Sequence, residues 1–169
     1  MKTYIGIDIG LKGAVAVISP DGVITTSPMP VIKDQLDMRG LQDLMDLTII
    51  NQSSTEMFAV FEKLGVIFGS SKTTAFSMGS QLGAIEMLCV SQMVSYAKVP
   101  AKQWQKDMFM GIDEITNSKG KRDTKAMALV AVKRLFPHLK LTFGERATKP
   151  HDGLVDAVLM AEWARRNNL

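Results

Sequence analysis

The chain has 169 residues, of which 46% are hydrophobic and 22% charged, and its net charge is +3. This size and composition are typical of one globular domain, so we expect a single domain over residues 1–169. No apolar run approaches the roughly 18 residues that a membrane span needs. Residues 1–10 lack the basic start and long apolar stretch of a signal peptide, and Cys89 is the only cysteine. A membrane protein or disulfide scaffold is thus excluded, and a cytoplasmic protein is expected.

Positive charge is concentrated in the middle of the chain. Residues 98–134 hold nine Lys or Arg against four Asp or Glu, a net charge of +5, whereas residues 1–97 carry a net charge of −3. Such an excess is typical either of a solvated helix face or of a surface that binds nucleic-acid phosphates. Composition alone leaves both interpretations open.

The first thirty residues predict an antiparallel meander of three strands. Tyr4–Ile9 alternates with period two, Gly13–Ser19 is a second apolar segment, and Val23–Ser27 follows a Pro-Asp-Gly turn. On the first strand, Asp8 shares a face with Gly6, where a ligand or another backbone can approach closely. The meander therefore presents an acid on an otherwise apolar strand.

Helical and extended patterns alternate through the rest of the chain. Gly65–Thr74 is expected to be a mobile loop and Gly111–Gly120 a polar loop. The five strands and five helices together predict an α/β protein. The elements predicted after the meander are a helix at Gln35–Ile50, a strand at Met57–Phe61, a helix at Ala75–Gln92, a strand at Ser95–Val99, and helices at Ala101–Met110, Arg122–Phe136 and His151–Arg166.

Four acids follow or interrupt apolar segments, and a carboxylate is costly to bury unless it is paired or bound to a cation. They are Asp8, Glu62, Asp152 and Asp156. On a helix, Asp152 and Asp156 share one face, whereas His151 diverges from Asp156 by about 140° and is the weaker ligand candidate. Carboxylate oxygens without a Cys/His cluster favour Mg²⁺ over zinc, and two such ions can hydrolyse a phosphodiester.

These acids also have structural alternatives. Asp152 lies in the first turn of its helix, where the macrodipole stabilises an anion, and Glu62 alone is compatible with a solvated strand end. Asp8 is harder to explain in this way, because Asp is disfavoured in strands. Together the four acids favour one metal site, with Asp8 as the bridging ligand because its strand lies between the other elements.

An acid in a Gly-x-Asp-x-Gly strand, a second acid ending the fourth strand and a helical Asp pair resemble the RuvC family of Holliday junction resolvases, within the ribonuclease H superfamily. The segments His-Asp-Gly-Leu-Val-Asp-Ala and Phe-Glu-Lys-Leu-Gly are most similar to RuvC-like proteins of bacteriophages. The resemblance covers nearly the whole chain. It implies a ribonuclease H-like fold, in which a five-stranded mixed sheet is flanked by helices.

The resemblance also implies an activity. It predicts a homodimeric endonuclease that resolves four-way DNA junctions by paired nicks. A looser specificity for other branched DNA such as forks and flaps, and action on RNA, are alternatives within this interpretation. Each active site would hold two Mg²⁺ or Mn²⁺ ions, with no small-molecule cofactor. If the protein is phage-encoded, it would act in the cytoplasm of the bacterial host.

Residue roles follow from the same resemblance. It implies catalysis and metal binding by Asp8, Glu62, Asp152 and Asp156, and catalytic assistance by Lys125. Family members carry a base-stacking aromatic after the second acid, and Phe68 matches it. The residues expected to contact DNA are Phe68, Lys72, Lys102, Lys106, Lys119, Lys121 and Arg122.

Two features depart from the family pattern. The last two acids are four residues apart, whereas the cellular enzymes have their last two ligands three residues apart, so Gly153 stands where that spacing would require an acid. The stretch 111–122 is also longer than expected and ends in Lys119, Lys121 and Arg122. The first departure affects which residues are assigned as metal ligands. The second affects which residues are expected to contact DNA.

Two other functions are compatible with the sequence. The segment 6–13 also resembles the first phosphate loop of sugar kinases and actin-like ATPases, which need a second lobe and a further Gly-rich motif that these residues do not contain. A non-catalytic module that binds branched DNA would not need Asp152 and Asp156 on one helix face. Within the nuclease interpretation, the catalytic core does not determine the substrate.

Overall fold

The computed structural model describes residues 2–50, 56–65, 71–144 and 146–169. Seven strands form two sheets: β1 (Lys2–Asp8), β2 (Ala14–Ile18), β3 (Ile24–Pro28), β4 (Val31–Ile32), β5 (Gln35–Leu36), β6 (Glu56–Glu62) and β7 (Ser95–Val99). The main sheet has the order β3-β2-β1-β6-β7. Its first three strands are antiparallel, as the meander predicted, whereas β6 and β7 run parallel to β1. The predicted five-stranded mixed sheet is therefore confirmed.

Helices cover both faces of this sheet and form a three-layer α/β structure. They are α1 (Met38–Ile50), α2 (Lys72–Ser91), α3 (Ala101–Met108), α4 (Thr124–Leu135) and α5 (Asp152–Arg166). One apolar cluster contains buried side chains of α3, α4 and α5 together with Tyr4 and Ala16 of the sheet. The second contains side chains of α1 and α2 with Ile5 and Ile7. Because side chains alternate along β1, one face of the strand packs against α3, α4 and α5 and the other against α1 and α2.

Helix α5 lies unusually close to the central strand. A Cβ atom at Gly6 would collide with the carbonyl oxygen of Ala157, so this contact requires glycine. Between Gly153 and Ala164, Asp156 is the one residue of this fully described helix that is not buried. The close contact therefore brings α5 over the face of β1 that also carries Asp8.

The predicted helix Gln35–Ile50 begins later than expected, at Met38. The preceding residues form the small antiparallel hairpin of β4 and β5, which the sequence analysis missed. Its turn holds Lys33 and Asp34 at φ values of 50° and 58°, and such paired positive angles are typical of a two-residue hairpin turn. The Asp37 carboxylate accepts two backbone N–H bonds and so caps the helix that follows.

Three other helices also begin at residues that differ from the prediction, and in each of them a side chain caps the first turn. Ser71 caps α2, so that Lys72 belongs to a helix rather than to the predicted loop; the part of that loop at 66–70 lies outside the described residues. Asp123 caps α4, which begins at Thr124 rather than at Arg122, and His151 caps α5, which begins at Asp152 rather than at His151. At its end, α3 stops at Met108, two residues before the predicted Met110. None of the helices in the described ranges is long and apolar enough to cross a membrane.

Candidate active site

Asp8 and Glu62 end two neighbouring parallel strands, β1 and β6. Parallel strands present their carboxyl ends at the same edge of a sheet, so the two acids lie at one edge. Strand β1 occupies the centre of the sheet, between β2 and β6. The order of strands therefore places Asp8 directly beside the strand that carries Glu62.

The first turn of α5 completes this edge. A Cβ atom at Gly153 would lie 2.5 Å from Oδ2 of Asp8 and 2.7 Å from the carbonyl oxygen of Lys12, so glycine allows the helix to approach the β1–β2 connection. Asp152 and Asp156 line one depression together with Asp8. The structure thus brings the predicted helical pair to the acid on β1. It also explains why an acid at position 153 would not fit.

Asp8 and Asp156 are electrostatically strained as carboxylates. Burial, reinforced by repulsion from Asp156 and Glu62, raises the pKa of Asp8 to about 7. Burial and repulsion from Glu62 and Asp152 likewise raise the pKa of Asp156 to about 7. The positive charge of Lys125 opposes both shifts. In the described part of the chain neither carboxylate has a cation bonded to it, so Lys125 offsets their ionised forms only from a distance.

Asp152 differs from these two acids because it has a partner. Its Oδ2 accepts a hydrogen bond from Nζ of Lys125 at 2.7 Å, and the side chains are 49% and 71% exposed. The bond to Asp152 raises the pKa of Lys125 and keeps it charged. The start of α4 therefore brings Lys125 to the acids, where the resemblance predicted a catalytic lysine.

Trp104 holds Glu62 from inside the core, a contact that the sequence analysis missed. The indole Nε1 donates a hydrogen bond to Oε1 of Glu62 at 3.0 Å, and the Trp104 side chain is fully buried on α3. Trp104 is thus an anchor of the apolar core as well as a partner of Glu62. A buried indole N–H needs an acceptor, but the sequence does not say which acid supplies it.

His151 lies beside the acids but has a structural role. Its Nδ1 accepts the backbone N–H of Leu154 at 3.2 Å, and its ring packs edge-on against Phe143. The nitrogen that caps α5 is thereby occupied. This geometry supports the preference for Asp152 and Asp156 over His151 as ligands.

The donor set fits a hard divalent cation, because all four side chains offer carboxylate oxygens. Asp8, Asp152 and Asp156 line the depression, and Glu62 interacts electrostatically with Asp8 and Asp156. Within residues 2–50, 56–65, 71–144 and 146–169, however, no three Asp, Glu, His or Cys side chains converge on one point. Carboxylates that repel one another separate when no cation lies between them, and the raised pKa values of Asp8 and Asp156 reflect this repulsion.

The residues predicted to contact DNA are dispersed over the structure. Phe68 lies outside the described residues, and Lys72 begins α2 on the opposite layer from α3. Lys102 and Lys106 lie one turn apart on α3, and together with Arg122 they line one pocket. The remaining two, Lys119 and Lys121, are exposed residues of the segment before α4.

Comparison with known proteins identifies the architecture. No protein-family model matches the chain, and no curated protein matches it in sequence. Solved structures do match: Thermus thermophilus RuvC in complex with a Holliday junction substrate has a TM-score of 0.59 at 12% identity, covering 98% of this chain and 96% of that one. A second T. thermophilus RuvC structure has a TM-score of 0.58 at 15% identity, with the same coverage.

The yeast mitochondrial Holliday junction resolvase Ydc2 is similar as well. Its TM-score is 0.58 at 12% identity, and the match covers 96% of this chain and 77% of that one. At these identities the likeness concerns the arrangement of strands and helices. The chain therefore has the ribonuclease H-like fold of the RuvC structures, with its acids at one edge of the shared central sheet.

Proposed function

We propose that the chain is a metal-dependent, structure-selective DNA endonuclease that resolves Holliday junctions and other branched DNA by paired nicks. The observation that carries the proposal is the convergence of three acids, Asp8, Asp152 and Asp156, on one depression, where burial and mutual repulsion raise the pKa values of Asp8 and Asp156. They lie beside Lys125 at the edge of a sheet whose fold is that of RuvC. A metal-dependent nuclease needs both features at its active site: acids that hold the metal ions and a positively charged side chain such as Lys125 beside them.

Asp8, Glu62, Asp152 and Asp156 are the residues that would hold Mg²⁺ or Mn²⁺, two ions per site. When bound, the ions supply an activated water and stabilise the leaving oxygen of a phosphodiester. Trp104 restrains one oxygen of Glu62 and leaves the other free to bind. Lys125, held by Asp152, presents an ammonium group to the depression, where it stabilises negative charge on a phosphate.

Paired nicks require two active sites, so we propose a homodimer. Helix α2 supports this, because over its length it carries only Lys72 and Glu86 as charged residues. Apolar side chains on and beside this helix are exposed to solvent: Phe76, Met87, Val90 and Met93. An apolar surface of this kind is typical of association between protein chains. The working environment would be a cytoplasm that contains branched DNA.

The direct test is nicking of synthetic four-way junctions in the presence of Mg²⁺ or Mn²⁺. The wild type should produce symmetric nicks, and Asp8→Asn should abolish them while junction binding persists. Asp113→Asn, which removes an exposed acid far along the chain from the four acids, is the matched control and should nick normally. Full activity of Asp8→Asn would disprove the proposed active site.

Two further measurements separate the alternatives. Junction binding without any metal-dependent nicking would indicate a non-catalytic binding module, and tight ATP binding in calorimetry would indicate an ATPase fragment. A panel of junctions, forks, flaps and linear duplex then ranks the substrates. Equal cleavage of linear duplex would contradict structure selectivity.

A further inference from the structure

A groove lies beside the acids, between α4 and the start of α5. Its volume is about 330 Å³, and part of its lining is apolar: Ala126 and Leu129 come from α4, and Pro150 and Val155 from the start of α5 and the residues before it. Lys149 adds a positive charge to the lining. None of these five residues was among the site residues predicted from the sequence. We call this cavity the α4–α5 groove.

The α4–α5 groove adjoins the depression that the acids line. Lys125, Asp152 and Asp156 line both of them. A phosphodiester held at the depression carries a nucleoside on each side, because each of its ester oxygens is bonded to a deoxyribose. Pockets for small organic ligands begin at about 300 Å³, so the groove has room for one nucleoside and not for a duplex. It is therefore within reach of a nucleoside that is bonded to that phosphate.

The apolar part of the lining indicates an organic ligand and not a bare ion. A site for a metal ion alone is lined by oxygen ligands, whereas sites for organic groups are mostly apolar and contain a few polar groups that fix orientation. Val155 and Ala128 are buried and form the floor of the groove, while Ala126, Leu129 and Pro150 are partly exposed at its rim. A nucleobase has two flat faces that suit such walls.

Both walls of the groove are held in place by local hydrogen bonds. Oδ1 of Asp123 accepts the backbone N–H of Ala126 at 3.0 Å, which fixes the first turn of α4. On the other wall, the N–H of His151 donates to the carbonyl of Leu141 at 2.8 Å, and Pro150 before it has a restricted φ angle. Because these walls are already ordered, a ligand that binds between them loses little free energy to ordering the protein.

We propose that the α4–α5 groove receives the single nucleoside on one side of the scissile phosphate, unstacked from its neighbours, with its base against Leu129 and Pro150. Lys149, which forms no ion pair within residues 2–50, 56–65, 71–144 and 146–169, contacts the next phosphate of the same strand. The inference rests on the proposed function and deepens it, because it names the part of the substrate that is held beside the cut. The nucleotide in the groove then contributes to the choice of cleavage position.

The first experiment combines a missing base with a filled groove. Nicking is measured on a four-way junction and on two versions of it that lack the base on one or the other side of the cut. For the wild type, loss of the base on one side should reduce kcat/KM about 5- to 150-fold, the range that one base contact supplies. Ala126→Leu, which fills the groove, should lose a similar factor on the intact junction and nothing further without the base. Val130→Leu, at an exposed position of α4 outside the groove, should behave as the wild type.

Binding without divalent metal gives a readout that does not depend on activity. A fluorescent purine analogue, whose emission rises when it leaves the base stack, is placed at single positions around the crossover, and its emission is recorded at saturating protein in EDTA. The wild type should raise the emission at one position, and Ala126→Leu should not. Lys149→Gln should reduce the slope of log K against log salt by about 1, whereas Lys149→Arg and the exposed control Lys140→Gln should keep it. Melting temperatures of all variants are measured in parallel.

The outcomes separate this inference from the proposed function. Wild-type protein that nicks junctions but tolerates the loss of either base refutes the groove alone, as does an equal effect of base loss in the wild type and in Ala126→Leu. A rise in emission that persists in Ala126→Leu places the base elsewhere and also refutes it. If a lowered melting temperature disqualifies Ala126→Leu, an unchanged slope in Lys149→Gln refutes the groove.

Two outcomes concern the nuclease itself. A rise in emission that Ala126→Leu abolishes, in protein that never nicks, supports the groove and refutes the nuclease. Wild-type protein that binds no DNA refutes both.

Discussion

The indole N–H of Trp104 bonds Oε1 of Glu62 at 3.0 Å, which joins helix α3 to the acid at the end of β6. A second buried tryptophan makes an equivalent bond elsewhere: Nε1 of Trp163 donates to Oδ2 of Asp107 at 2.7 Å. Both indoles lie in the same apolar cluster, but only Trp104 contacts one of the four acids. Substituting each tryptophan in turn therefore separates two effects: the restraint of Glu62, which only Trp104 provides, and the stability of the core, to which both contribute.

Trp104→Phe should weaken metal binding without preventing folding. The change removes the N–H that restrains Glu62, and loss of a residue that orients a metal ligand costs about 10- to 100-fold in metal affinity or activity. The readouts are the Mg²⁺ concentration at half-maximal nicking, which should rise, and the affinity for junction DNA, which should stay near that of wild type.

Trp163→Phe is the control for this prediction. Both tryptophan variants should lower the free energy of unfolding by similar amounts. The lost hydrogen bond costs about 1 kcal/mol, and the smaller ring adds a further loss of packing. The Mg²⁺ requirement of Trp163→Phe should match that of wild type. If both variants shift the metal requirement equally, Trp104 acts through general stability and does not position Glu62.

Gly153→Ala should impair the active site more than the addition of a single methyl group suggests. The added Cβ would meet Oδ2 of Asp8 at 2.5 Å and the backbone oxygen of Lys12 at 2.7 Å. Overpacking of this kind costs about 1 to 3 kcal/mol, and here the carboxylate of Asp8 or the start of α5 must move. Nicking should fall by more than the loss of folded protein explains, measured at a temperature where both proteins are fully folded.

Gly83→Ala provides the contrast, because a Cβ there meets no atom within 4 Å. In the interior of α2, alanine should stabilise the protein by about 0.5 to 1 kcal/mol. The Mg²⁺ concentration at half-maximal nicking should match that of wild type. Wild-type activity in Gly153→Ala would mean that Asp8 can adopt another position without loss of function.

Stability without metal should decrease as the pH rises from about 4 to about 7. The folded-state pKa values of Asp8 and Asp156, both about 7, exceed the ordinary value of 3.8. The folded protein therefore binds more protons than the unfolded chain in this range, and this contribution is full below the unfolded pKa and lost on passing the folded pKa. The decrease should be on the order of a few kcal/mol for the coupled pair, measured by urea unfolding in EDTA.

Added Mg²⁺ or Mn²⁺ should reverse this decrease, because a cation replaces the missing counter-charge. The rise in melting temperature on adding metal should be larger at pH 8 than at pH 5. Asp8→Asn should stabilise the metal-free protein at pH 8 and reduce both effects, whereas Asp113→Asn should change neither. A metal response that persists in full in Asp8→Asn would place the ion elsewhere.

Lys125→Met should affect activity far more than stability. Its ion pair with Asp152 is largely exposed, and such pairs contribute at most about 1 kcal/mol. The ammonium also opposes the raised pKa values of Asp8 and Asp156, so its loss should move the rise of the pH–rate profile to higher pH. Lys133→Met, near the other end of α4, should retain the wild-type profile. An unshifted profile in Lys125→Met would remove Lys125 from the site.

The four acids could be singled out from the sequence alone because their pattern has a local physical basis. Asp8 is recognisable within an apolar strand, and Asp152 and Asp156 are recognisable through the helical period. The strands of the meander were located correctly for the same reason, since alternation is a property of neighbouring residues. The hairpin of β4 and β5 was missed, because it depends on positive φ values at Lys33 and Asp34, which are not glycines.

Only the tertiary structure decided which residues that are distant in the chain contact one another. The sequence determined the α/β class, the four acids and the basic middle segment, since composition and period report local burial and charge. It did not determine that Trp104 bonds Glu62, that Gly153 abuts Asp8 or that Arg122 joins Lys102 in one pocket. Those relationships depend on how α3 and α5 pack across the sheet, and packing is a property of the folded chain as a whole.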